Sequence, residues 1–207
     1  MTTKKDMARE ERTDLAAFLA TLSPEQWEHE SLCEGWRVRE VVAHMTSYEE
    51  LGFGGVLATL VKGRFQPGRI NDIALARYRT RSPEELLSFL NAHLEPRGFT
   101  TLLGGMIGLV DGFIHHQDIR RPLGLPREMP EERLKTVLSC ALKAPPVGAG
   151  PRSRGLRLVA TDVDWTNGTG PEVRGTGEAI LMAIAGRRGV VDELSGPGQP
   201  TLAARIG

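Results

Sequence analysis

Apolar side chains at helical spacing run through most of the first 145 residues, and that periodicity restricts the fold more than any other feature. Leu15, Phe18, Leu19 and Leu22 recur at i, i+3, i+4 and i+7, the stripe of an amphipathic helix over about residues 5–22. Ser23-Pro-Glu-Gln26 and Ser82-Pro-Glu-Glu85 each spell a capping box with proline at the first helical position. In such a box the serine hydroxyl and the third-residue side chain satisfy each other's backbone amides. Between the boxes, Val38, Val41, Val42 and Met45 mark a helix from about Val38 to Leu60, with Gly63 at its end. A loop around Pro67-Gly68 follows over residues 64–70, and helical character returns over residues 71–78. Leu86–Leu94 follows the second box. A further stripe runs from Thr101 to Ile119 and stops at Arg121-Pro122, and a last helix is expected over Glu131–Leu142. Each of these helices must bury its stripe against another, so the region is expected to fold as a bundle.

Past Ala144 the pattern changes. Pro145-Pro-Val-Gly-Ala-Gly-Pro151 is too rich in proline and glycine for regular structure and reads as a linker or wide turn. Gly155-Leu-Arg-Leu-Val-Ala160 alternates like a strand, Asn167-Gly168 signals a hairpin turn, and Pro171–Arg174 would be the returning strand. Glu178–Ala185 reads as a helix closed by Gly186, and Thr201–Ile206 as a short final strand. The expected architecture is mostly α: a helical bundle over residues 1–145, then a small α+β domain over residues 152–207.

Charge and cysteine content narrow the function. Lysine plus arginine and aspartate plus glutamate number 26 each, so no net charge draws the chain toward nucleic acid or anionic lipid. Two cysteines, Cys33 and Cys140, are too few for a disulfide framework and read as reduced thiols. The charged N-terminus lacks the apolar stretch of a signal peptide, and no apolar run approaches a membrane span. A cytoplasmic protein is expected. Cys33 is the thiol to examine for reactivity, although no neighbour in sequence marks it as a nucleophile.

The segment richest in chemistry is Asp111-Gly-Phe-Ile-His115-His-Gln-Asp118. Asp111 and His115 stand four apart and share a helix face. His44, on the Val38–Met45 pattern, also flanks an apolar face, so two neighbouring helices could aim all three side chains at one point. Three mixed nitrogen and oxygen ligands leave a coordination position open, as catalytic metal sites do. On a helical wheel with Leu103 at zero, Val110, Ile114 and Ile107 define the core direction. Asp111, His115 and Asp118 form a polar strip at its edge, with Gly104 and Gly108 over the same strip, leaving a pocket or admitting a close helix. His116, at about 220°, points away from the core. Asp118 could fix an imidazole tautomer from behind, be the N-terminal partner of an arginine, or form an ion pair at the helix end. The plainer readings are a packed, hydrogen-bonded histidine and a simple i, i+4 polar contact.

Gly35-Trp36-Arg-Val-Arg-Glu-Val-Val-Ala-His44-Met, taken with Asp111-Gly-Phe-Ile-His115-His-Gln-Asp118-Ile-Arg-Arg-Pro-Leu-Gly124, resembles the DinB-like superfamily. Within it the mycothiol-dependent maleylpyruvate isomerase family of actinobacteria is the nearest match. Thr161-Asp-Val-Asp-Trp165 and Pro171-Glu-Val-Arg174-Gly resemble a shortened form of that family's C-terminal domain. The resemblance implies a four-helix bundle holding a divalent metal, usually zinc, through His44, Asp111 and His115. Nickel and iron also suit such a donor set. Where those isomerases carry glutamate, this chain has Asp111, shorter by one methylene.

The expected partners are mycothiol as cosubstrate and a small electrophilic molecule. A divalent cation would deprotonate a low-molecular-weight thiol for isomerisation or S-transfer; the same site could instead activate water. Arg174 could grip a substrate carboxylate bidentately, or simply be a surface arginine at a strand end. The competing reading is a non-catalytic DinB-like bundle that binds a small ligand or dimerises; bundles of this kind often pair, so a homodimer is among the expectations.

Overall fold

The computed structural model describes residues 2–47 and 80–207 and, between them, residues 55, 62, 64, 73, 75, 76 and 78. The continuation of the Val38 helix to Leu60, the Pro67-Gly68 loop and most of the helix over residues 71–78 lie outside the described residues. The chain divides into two compact units, Met1–Pro126 and Arg127–Gly207. It is mostly helical, with a small three-stranded sheet in the second unit.

In the first unit, α1 spans Lys4–Leu19, α2 Pro24–Trp27, α3 Val38–Ser47, α4 Pro83–Ala92 and α5 Leu102–Arg120. Both serine capping boxes form. Ser23 accepts the Gln26 amide while its own amide donates to Gln26 Oε1 at 2.9 Å, and Ser82 pairs likewise with Glu85 at 2.7 Å. A third box, Thr3 with Asp6, opens α1. Among the described residues α1 contacts α5 and α4, and α3 contacts the same two, which closes a ring of four helices. Leu15, Phe18 and Leu19 of α1, Val38, Val41, Val42 and Met45 of α3, and Leu86 and Leu90 of α4 meet in its core.

The start of α5 departs from the wheel. Leu103, Gly104 and Gly105 have left-handed backbones, with φ of 55°, 71° and 88°. Leu103 is 64% exposed, so the residue used to fix the core direction does not mark it. Gly105 is required here: a Cβ would stand 2.9 Å from the Lys5 Cα, so the first turn of α1 lies directly against it. Gly108 opens no pocket, because a Cβ there would meet the Thr100 carbonyl at 3.1 Å.

The second unit holds α6, Glu131–Ala141, α7, Ala149–Ser153, α8, Gly177–Ile184, and α9, Gln199–Ile206. Its strands are β1, Arg157–Ala160, β2, Thr166–Asn167, and β3, Glu172–Gly175. α6 groups here and not with the bundle. Leu134 and Leu138 press on Gly177 at the start of α8, and the Trp165 indole donates to Ser139 Oγ at 3.0 Å. Every residue of α8 is buried, making it the axis of the unit.

Three expectations for this unit need correction. The proline- and glycine-rich segment carries a 3₁₀ turn over Pro145–Val147 and the one-turn α7, since Pro151 falls in a first turn where proline is tolerated. Thr201–Ile206 belongs to helix α9, with Pro200 in its first turn and Leu202 buried. β3 does not return antiparallel to β1: the sheet order is β2-β1-β3, with β1 antiparallel to β2 and parallel to β3. Gly168 and Gly170, with φ of 83° and 122°, bring the chain back along the Leu156 and Gly155 carbonyls too closely for any side chain. The amide of Arg157 then donates to the Pro171 carbonyl at 3.0 Å, so β3 starts beside the start of β1 and runs with it.

Candidate functional site

α3 and α5 bring His44, Asp111 and His115 together. One donor atom from each lies within 4.8 Å of the others. His115 Nε2 is 3.5 Å and His44 Nε2 3.9 Å from Asp111 Oδ1. The two imidazoles meet edge to face with centroids 5.0 Å apart, and the Trp36 ring lies 5.0 Å from that of His44. His44 is buried, whereas the Asp111 side chain keeps about a third of its surface open. Zinc holds nitrogen and oxygen donors at about 2.0–2.2 Å, which at tetrahedral angles sets them about 3.4 Å apart. The observed separations are close to that value and too long for charge-assisted hydrogen bonds. The residues fit a divalent cation.

Asp118 supplies the support behind this set. Its carboxylate is fully buried and accepts from His115 Nδ1 at 2.9 Å, so the Nδ1 proton is fixed there and Nε2 faces Asp111. Of the three roles expected for Asp118, this is the tautomer-fixing one. Its backbone carbonyl accepts the Leu32 amide at 3.0 Å, anchoring the loop before α3 to α5. That loop is tightly built: the Ser31 amide and hydroxyl both donate to the Trp36 carbonyl, at 2.9 and 2.8 Å, and Gly35 takes a left-handed φ of 76°.

The electrostatics follow from burial and these pairs. Burial pushes His44 below its usual range, more than the neighbouring carboxylates restore. Burial also acts against charge on His115, but Asp111, Cys33 and Asp118 outweigh it and raise the ring well above the usual value. Partial burial opposes ionisation of Asp111 too; His115, His44 and Arg12 outweigh it and bring the carboxyl to about 2. Without a metal, a protonated His115 ring therefore stands between two carboxylates, its Nε2 proton lying on the side where a cation would bind.

Two features escape sequence reasoning. Cys33 stands at the site, its thiol donating to Asp118 Oδ2 at 3.2 Å and lying 3.6 Å from His115 Nδ1. The sequence separation of 82 residues hid this contact. His116, expected to face away from the core, is fully buried: its Nδ1 lies 2.8 Å from Glu11 Oε1, and Arg120 Nε donates to its Nε2 at 2.8 Å. The wheel missed this because α1 covers the second face of α5. Arg174 lies in the second unit, exposed on β3, with its guanidinium 3.0 Å from Glu172 Oε2.

Residues 8–97 match the family model of the mycothiol maleylpyruvate isomerase N-terminal domain. Two solved structures share the fold. A crystal structure of a histidine-to-alanine mutant of the mycothiol-dependent maleylpyruvate isomerase aligns with a TM-score of 0.60 at 16% identity. A crystal structure of the mycothiol-dependent maleylpyruvate isomerase aligns at 0.54 and 14%. Each alignment covers 95% of this chain and 92% of the other. No curated protein matches the sequence. In sequence over residues 8–97, and in fold over nearly its whole length, this chain is similar to the mycothiol-dependent maleylpyruvate isomerases.

Proposed function

We propose that this chain is a metal-dependent enzyme that uses a low-molecular-weight thiol, mycothiol by family likeness, to isomerise or transfer to a small electrophile. The observation that carries the reading is the convergence of His44, Asp111 and His115, with the far nitrogen of His115 held by the buried carboxylate of Asp118. A divalent cation bound there, zinc by family likeness, supplies the positive charge that turns a thiol of ordinary pKa about 8.5 into a thiolate at neutral pH.

The protein's own groups do the rest. His44 and His115 offer Nε2, and Asp111 offers Oδ1 and one negative charge. Three ligands leave a position open, and the partial exposure of Asp111 puts that opening toward solvent. Trp36 packs against the His44 ring and restricts its rotation. Arg174 is assigned to a substrate carboxylate, which would compete with Glu172 for its guanidinium. No described helix is long and apolar enough to cross a membrane, and two cysteines outside any disulfide suit a cytoplasmic setting.

The test is metal analysis of protein purified without chelator, then titration of the cobalt-substituted form with a small thiol. A thiol-dependent change in the cobalt spectrum, lost in the His44→Ala, His115→Ala double variant, supports the reading. Thiol binding that persists unchanged in the double variant rejects it and leaves a non-catalytic bundle.

A further inference from the structure

On the opposite side of the His115 ring from Asp111, three more donor atoms converge. Cys33 Sγ lies 3.2 Å from Asp118 Oδ2 and 3.6 Å from His115 Nδ1, and that nitrogen lies 2.9 Å from the same carboxylate oxygen. They come from two separate elements, the loop before α3 and the last turns of α5. The loop is fixed by the Leu32–Asp118 backbone bond and by Ser31 Oγ, which accepts the Cys33 amide at 3.1 Å. The thiol is therefore held in place by its own backbone.

We propose that Cys33, His115 Nδ1 and Asp118 form a second, thiolate-containing subsite for a thiophilic divalent cation. The proposal rests in part on the reading above, because the two positions share His115. Zinc–sulfur bonds of about 2.3 Å and zinc–nitrogen bonds of about 2.0 Å place tetrahedral sulfur and nitrogen donors about 3.5 Å apart, close to the observed Sγ–Nδ1 separation. The two shorter distances are those of hydrogen bonds, with protons standing where the cation would go. On binding, bonds form from the cation to Sγ, Nδ1 and a carboxylate oxygen. The S–H and Nδ1–H bonds break, both protons leave to solvent, and no electron changes hands.

Charge favours double occupancy. With both positions filled, His115 bridges the cations through its two nitrogens as imidazolate. Asp111, Asp118, the Cys33 thiolate and that imidazolate then supply four negative charges against two divalent cations, while His44 stays neutral. A buried pair of cations needs such a balance. Sulfur also gives the second position a preference for softer ions that the nitrogen and oxygen set around Asp111 lacks.

The experiment is a cobalt titration of the metal-stripped full chain, followed by absorption spectroscopy. Two equivalents are expected to bind, one of them bringing a sulfur-to-cobalt charge-transfer band in the near ultraviolet. Cys33→Ser should abolish the band and remove one equivalent; Cys140→Ser should change neither. His44→Ala should weaken the other equivalent at least tenfold and leave the band. No charge-transfer band in the parent protein at any cobalt excess overturns the subsite, as does a band that survives Cys33→Ser. If Cys33→Ser is poorly folded by circular dichroism, Asp118→Asn decides: a band of undiminished affinity there also overturns the proposal. A His44→Ala variant with unchanged cobalt binding would instead defeat the first metal position and leave the second standing.

Discussion

Glu11 on α1 and His116 on α5 are both buried and lie 2.8 Å apart, a polar pair that fastens the two helices. Arg120 Nε donates to the other His116 nitrogen, so that nitrogen is the acceptor and Nδ1 carries the proton given to Glu11. The Arg120 guanidinium in turn covers the Phe18 ring, 3.7 Å from its centroid. Removing one member strands a buried partner. Glu11→Ala should therefore destabilise the protein by about 1–3 kcal/mol, the cost of leaving the buried His116 N–H unsatisfied, and Glu11→Gln by less, because its amide oxygen can still accept. Chemical denaturation of both variants checks this, and equal midpoints for Glu11→Ala and the parent would refute it.

Metal affinity should rise with pH. The ring of His115 sits well above the usual imidazole value in the metal-free protein, so a cation at Nε2 must displace a proton. Affinity should climb about tenfold per pH unit while that proton is present and level off above the folded value. Competition against a chelator of known affinity, repeated across pH, gives the slope; a flat profile around neutrality contradicts it.

The same two histidines set opposing stability trends in the metal-free protein. The raised His115 contributes stability that is complete below the unfolded value of 6.5 and is lost as pH rises through its folded value. The lowered His44 contributes stability that is complete above 6.5 and is lost as pH falls through its folded value. His115→Ala should therefore flatten the alkaline fall and leave the acid one. Melting temperatures between pH 5 and 9 with a chelator present test this.

Asp118→Asn should lower metal affinity by about 10–100-fold without unfolding the bundle. An amide can still contact the His115 ring but supplies no charge behind it and need not hold the Nδ1 proton. Calorimetry of metal binding measures the loss; unchanged affinity would show that the carboxylate does nothing for the ligand set.

Gly105→Ala should destabilise by about 1–3 kcal/mol. The residue has a φ of 88°, and the new methyl would meet the Lys5 backbone at 2.9 Å. Gly104→Ala shares the left-handed strain but meets nothing within 4 Å, so it should cost less. The difference between their denaturation midpoints isolates the close approach of α1.

Local chemistry made much of this legible in advance. Serine, proline and glutamine or glutamate at fixed spacing define both capping boxes without help from tertiary structure, and the Val41, Val42 and Met45 stripe points His44 inward. What escaped was set by contacts distant in sequence. The burial of His116 depends on α1 lying across α5, and the place of Cys33 depends on a loop bonded to Asp118. Asn167-Gly168 failed as a hairpin signal because the next residues run back past the start of β1, which no local propensity encodes. Thr201–Ile206 holds apolar residues that serve a strand or a helix equally, and Pro200 in the first turn favours the helix.

Asp118 grips two things at once: its carbonyl holds the Leu32 amide and its carboxylate holds the His115 ring. Any displacement of the segment leading into α3 must therefore pull on the imidazole. Whatever leans on Cys33 from outside would be felt as a tilt of His115 one residue contact away.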